Sequence, residues 1–142
     1  MTLEQIMDMS SKDIKLDDIS LDVESLRTPL LFDKYLKIYT LFKKQLNKSN
    51  KQYSKIKLEK ILYYTGRADP EVYKETPFDI KVIKNELDVF LDGDDDIIKK
   101  QTEIDDVQVK FDYIDRCLKN ILERQWHIKN VIEWRKFTSG VS

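Results

Sequence analysis

Ile104, Val107, Phe111, Ile114, Leu118, Ile121, Gln125, Ile128 and Ile132 follow one another at alternating steps of three and four. A heptad seam of this length, interrupted only by Gln125, predicts one long helix over 97–138. Val107, Val109, Phe111 and Tyr113 also alternate as a strand would. The seam continues well beyond them without a breaker, so the helix is the better reading. With only three glycines and three prolines in 142 residues, the chain has few places to turn. The fold class expected is therefore all-α, built from long amphipathic helices. Trp126, Val131, Trp134 and Phe137 form a second apolar surface near the end of the same helix. One helix in a chain this short cannot bury both stripes, which implies a partner subunit. The interface residues expected are Phe111, Ile114, Leu118, Ile121, Ile128, Ile132 and Trp134.

Charge is distributed as unevenly as apolarity. The formal net charge is −1, yet residues 34–67 hold ten basic side chains against the single acid Glu59. A near-neutral total thus hides a strongly cationic stretch. Tyr35, Tyr39, Phe42, Leu46, Tyr53, Ile56 and Tyr63 recur in it at helical steps. We read one amphipathic helix over about 31–64, begun by Pro29 and ended by Gly66 in the left-handed capping conformation. Lysines on its outer face would form a rail of ammonium groups. A solvated helix normally mixes signs to form i,i+4 pairs, whereas this one tolerates self-repulsion, as a surface for polyanions does. The candidate nucleic-acid contacts are Lys48, Lys51, Lys55, Lys57 and Lys60, followed by Tyr63, Tyr64 and Arg67 as stacking groups.

The remaining segments are acidic or short. Thr2 and Gln5 have capping-box spacing for a first helix carrying Leu3, Ile6 and Met7, ended by Ser10 and Ser11. Residues 12–28 place Ile14, Leu16, Ile19, Leu21 and Val23 in near-alternation, which suits a short strand or an extended arm. Residues 68–76 read as a loop around Pro70. Thr76 and Pro77 then open a helix over about 77–91 with Ile80, Ile83 and Leu87 inward. The run Asp92-Gly-Asp-Asp-Asp96 lacks the alternating ligands of a calcium loop, and reads as a turn feeding acids into a helix N-terminus. The division expected is a single domain with an acidic arm (1–30), a basic helix (31–67), an acidic loop and short helix (68–96) and an oligomerisation helix (97–138).

Catalytic chemistry finds no footing. His127 is the only histidine and Cys117 the only cysteine, too few for a zinc site or a nucleophile with its base and orienter. No glycine-rich phosphate loop occurs. We expect a binding protein without metal or cofactor. The lone cysteine, the lack of a leader-like opening and the lack of any apolar run near 18 residues suggest a cytoplasmic protein with no membrane association.

Three segments carry a resemblance. L-D-V-E-S-L-R-T-P-L-L-F-D-K-Y at 21–35, I-L-Y-Y-T-G-R-A-D at 61–69 and W-H-I-K-N-V-I-E-W-R-K-F-T-S-G at 126–140 are similar to the UvsY family of tailed-phage recombination mediators. The resemblance spans nearly the whole chain. It implies a protein that binds single-stranded DNA without sequence preference and assembles into a homo-oligomeric ring. It also implies partners, a RecA-like phage recombinase and the phage single-strand-binding protein that the recombinase replaces, and a place in the host cytoplasm. By position it implicates Lys57 and Lys60 as DNA contacts, with Tyr64 and Arg67 beside them. Leu58 departs from the pattern where a basic residue is expected. Without the resemblance, the same helices would suit an oligomeric scaffold or chaperone subunit whose lysines only keep it soluble.

Overall fold

The computed structural model describes residues 1–140, and among them every regular element is a helix. These are α1 (Leu3–Asp13), α2 (Leu21–Tyr64), α3 (Pro70–Glu75), α4 (Leu87–Asp92) and α5 (Asp95–Thr138). The fold is all-α. Packing divides the chain into two units. One holds Met1–Lys43 and the chain from Gln108 onward; the other is Lys44–Val107. Helices α2 and α5, at 44 residues each, contribute a segment to both.

The first unit is built on an apolar cluster of Ile6, Leu31, Tyr35, Ile114, Cys117, Leu118 and Ile121. Tyr39 packs at its edge against Phe111, ring centroids 4.6 Å apart. The α2 and α5 segments run antiparallel, and α1 closes the third side. The Thr2–Gln5 capping box forms as its spacing requires. The helix then continues through Ser10 and Ser11, where an end was expected, to Asp13. Tertiary packing supplies the reason: Ser10 is buried, with its hydroxyl 3.4 Å from Cys117 Sγ. At the end of α1 the Asp13 carboxylate accepts from Lys34 Nζ at 2.6 Å and from the Tyr35 hydroxyl at 2.9 Å.

The start of α2 corrects the sequence reading. Neither a strand nor an arm runs to residue 28, because α2 begins at Leu21 and carries Pro29 within it. An interior proline removes one helical hydrogen bond and costs on the order of 3 kcal/mol. Contacts on both sides of it outweigh that cost. Leu21, Glu24, Leu31 and Tyr35 are all buried. Glu24 forms an ion pair with Arg124, side chains 8% and 5% exposed. Arg124 Nε also donates to Thr28 Oγ1 at 3.1 Å. Arg124, and not the adjacent Gln125, therefore takes the inward polar position of the heptad seam. The near-alternation of Leu21 and Val23 is incidental, since only Leu21 faces inward.

In the second unit the antiparallel segments are joined by smaller elements. Gly66 takes φ +74°. Arg67 N–H donates to Leu62 O at 2.8 Å and Gly66 N–H to Tyr63 O at 3.3 Å, the paired closure of a Schellman motif. Two expectations fail beyond it. Residues 70–75 form the short α3, and 77–83 form no helix. The competing interaction is aromatic: Phe78 packs against Tyr63, Tyr64 and Phe90, centroids 5.2–5.9 Å apart. Ile80 and Ile83, expected inward, are exposed. The Asp-rich turn behaves as read. Asp94 Oδ1 accepts from the N–H groups of Asp96 and Ile97 at 3.0 and 3.1 Å and caps α5.

Removing one member of a buried ion pair strands its partner in a poorly solvating interior. Arg124→Met should therefore lower unfolding free energy by roughly 3–5 kcal/mol in urea denaturation, whereas Lys119→Met on the surface of α5 should change it by less than about 1 kcal/mol.

Candidate nucleic-acid interface

Helix α2 advances 100° per residue, so its lysines need not share a face. Lys44, Lys48, Lys51 and Lys55 do, being spaced i, i+4, i+7 and i+11. They line one open trough of about 530 Å³ together with Asn47 and Gln52. All four are exposed, and among the described residues none has an ion-pair partner. The rail covers about 16 Å of helix axis, room for several successive phosphates.

The other residues singled out from sequence lie elsewhere. Lys57 is exposed but sits about 160° round the helix from Lys55, off the rail. Lys60 is bound to Asp94 at 3.2 Å and to Asp96 at 2.8 Å. Tyr64 donates to Asp94 Oδ2 at 2.5 Å. Tyr63 stacks on Tyr73 with centroids 5.5 Å apart and donates to Thr76 O at 3.0 Å. Both tyrosines are thus members of an intramolecular aromatic cluster. Lys60 is a positioning residue that ties α2 to the start of α5. Arg67 stands exposed just past the cap, one nitrogen donating to Thr65 Oγ1 at 3.1 Å. Lys44, Asn47 and Gln52 complete the rail and were not among the candidates. Their i,i+3 and i,i+4 spacing to Lys48, Lys51 and Lys55 was the available signal.

Electrostatics make the difference between free and bound cations concrete. Burial opposes ionisation of Asp94, but hydrogen bonds from Tyr64, Ile97 N–H and Lys60 outweigh it and hold the carboxyl below its ordinary value. Burial likewise works against the Lys60 ammonium, and Asp96 and Asp94 override it to raise its pKa. The Tyr64 hydroxyl is pushed up by burial and by its bond to Asp94.

The residues expected at an interface between copies divide into buried and exposed sets. Ile114, Leu118, Ile121 and Ile128 are buried within the chain itself, and Phe111 is half-buried against Tyr39. Their apolar area is already used by α1 and α2. Ile132 and Trp134 remain exposed, accompanied by Trp126 and Phe137. Trp134 and Phe137 stack with centroids 5.8 Å apart.

With this geometry in place, comparison with known proteins is decisive. Residues 9–141 match the family described as "Recombination, repair and ssDNA binding protein UvsY". The chain belongs to the UvsY family. Its similarity to the recombination protein uvsY of Enterobacteria phage T4 is 25% identity over 140 residues, covering 99% of both chains. The crystal structure of the bacteriophage T4 recombination mediator protein UvsY in lattice type II superposes with TM-score 0.89 at 25% identity, over 98% of each chain. Lattice type I of the same protein gives TM-score 0.85 at 24% identity, over 94% of this chain and 98% of that one. The family is one of recombination, repair and single-stranded-DNA binding, and its description names no catalytic activity. Among the described residues, no helix is long and apolar enough to cross a membrane.

The Asp94 cluster has a pH signature. A carboxyl depressed in the folded state contributes stability that is present above its unfolded pKa and is lost as pH falls through the folded value. Asp94→Asn should therefore be less stable than the parent at pH 7 and show a shallower loss between pH 5 and 2, read by thermal melts across that range.

Proposed function

We propose that this chain is a recombination mediator that grips single-stranded DNA through the rail of Lys44, Lys48, Lys51 and Lys55. The observation that carries this reading is the contrast within α2: among the described residues four aligned lysines have no carboxylate partner, while Lys60 is consumed internally. Ammonium groups on a smooth helix face contact phosphates and not base edges, so the grip tolerates any sequence. One rail of this length binds weakly. Self-assembly into a ring would raise the effective concentration of further rails, wrap the strand and multiply the contacts. A strand so wrapped is held away from single-strand-binding protein and presented to a RecA-like recombinase, the T4 relative itself being named a recombination mediator. The exposed apolar side chains Trp126, Ile132, Trp134 and Phe137 are the surface we assign to assembly. Phe111, Ile114, Leu118, Ile121 and Ile128 support that surface from the core.

Fluorescence anisotropy with labelled oligo-dT across a salt titration tests the rail. Each phosphate neutralised on a single strand contributes about −0.7 to the slope of log K against log salt. Replacing Lys48, Lys51 and Lys55 with Ala should flatten that slope by about 2 and weaken binding at low salt by at least tenfold. An unchanged slope would remove the rail from the interface. A protein that is oligomeric yet binds no strand at low salt would instead be a helical scaffold.

Light scattering tests the assembly surface. Trp134→Asp with Phe137→Asp should yield a smaller species and, at equal protein concentration, weaker oligo-dT binding. An intact oligomer from this variant would show that the contact lies elsewhere.

A further inference from the structure

The rail stripe does not stop at Lys55. Continued by i+3, i+4 and i+7, it runs through Leu58 and Glu59 to Leu62. There α2 and α3 enclose an open groove of about 370 Å³, lined by Leu62, Tyr63, Ala68, Val72, Arg67 and Asp69. The volume lies in the range of small-molecule clefts. Its walls are stiff: the Tyr63 ring is stacked on Tyr73, whose hydroxyl in turn donates to Tyr63 O at 2.7 Å. Leu58, apolar and exposed, lies between the last rail lysine and the groove.

We propose that this groove is a nucleobase subsite, taking one unstacked base from the strand whose phosphates lie on the rail; the inference rests on the rail reading above. Charge separates the two parts of the ligand. The rail has cations and no acids, which suits phosphate. The groove adds the exposed carboxylates of Glu59 and Asp69 beside Lys60, whose charge is taken up by Asp94 and Asp96, and Asp69 makes no capping bond to α3. Carboxylates repel phosphate and accept N–H donors, and every DNA base offers at least one amino or imino N–H on its pairing edge. Leu62, Val72 and the Tyr63 ring supply the apolar walls. Arg67 has one of its five guanidinium donors engaged, leaving a planar cation at the rim to cover a base. Such a site is tolerant of base identity and selective for bases over bare backbone.

The test compares oligo-dT with an abasic strand of equal phosphate number. The protein is used as the full chain with two variants, Ala68→Leu to fill the groove and Arg67→Lys to keep the charge and lose the plane. The parent should bind oligo-dT about tenfold more tightly than the abasic strand. Both variants should lose that preference while keeping the abasic affinity and the salt slope. Equal binding of the two strands by the parent, or an unaltered preference in both variants, overturns the subsite and leaves the rail standing. Loss of binding to both strands by the rail triple variant, with the preference intact in Arg67→Lys, has the same meaning. No binding of either strand by the parent overturns the rail reading and the subsite with it.

Discussion

Asp94 has two carboxylate oxygens and uses them for different ends. One accepts two backbone N–H groups and fixes where α5 begins. The other holds Tyr64 and Lys60 and so fixes where α2 ends against it. A single buried acid thereby sets the register of the second unit. It also decides which cations of α2 are available to a ligand. Lys60 neutralises an internal charge, which leaves the uncompensated cations further up the helix. The family resemblance had pointed to the end of the helix. In this chain that end is occupied by its own acids and rings.

What a helix leaves unpaired is as informative as what it pairs. The lysines at 44, 48, 51 and 55 repel one another at i,i+3 and i,i+4 distances, each pair costing roughly 0.2–0.5 kcal/mol. The total is small beside the stability of a domain, so the fold can carry it without a compensating acid. The consequence is a line of exposed ammonium groups, the line we propose as the phosphate contact. The acids that balance the net charge sit on other elements, chiefly in 68–96.

The helices were legible in the sequence where periodicity was long and breakers were few. The helix over residues 97–138 and the Gly66 terminus follow directly from spacing and from glycine's access to positive φ. The start of α2 was not legible, because Pro29 reads as a beginning and its tolerance depends on the distant Arg124. The stretch 77–83 has helical apolar spacing, but Phe78 is drawn into a ring cluster that only the tertiary fold assembles. The same limit applied to the site. Composition placed the cationic surface on α2, and angular spacing placed Lys48, Lys51 and Lys55 together. Nothing local marked Lys60, Tyr63 and Tyr64 as internally bound, since Asp94 lies 30 residues beyond Tyr64. The seam of α5 was expected to face a second copy, but Ile114, Leu118, Ile121 and Ile128 are buried within the chain while Gln125 and Ile132 are exposed.

Lysine acetylation footprinting, with and without saturating oligo-dT and read by peptide mass spectrometry, asks the central question directly. The account predicts that Lys44, Lys48, Lys51 and Lys55 react readily in the free protein and are protected together by the strand. Lys60, held by Asp94 and Asp96, should react slowly in both states. Protection concentrated at Lys60 and Lys57, with the rail still reactive in the complex, would contradict it.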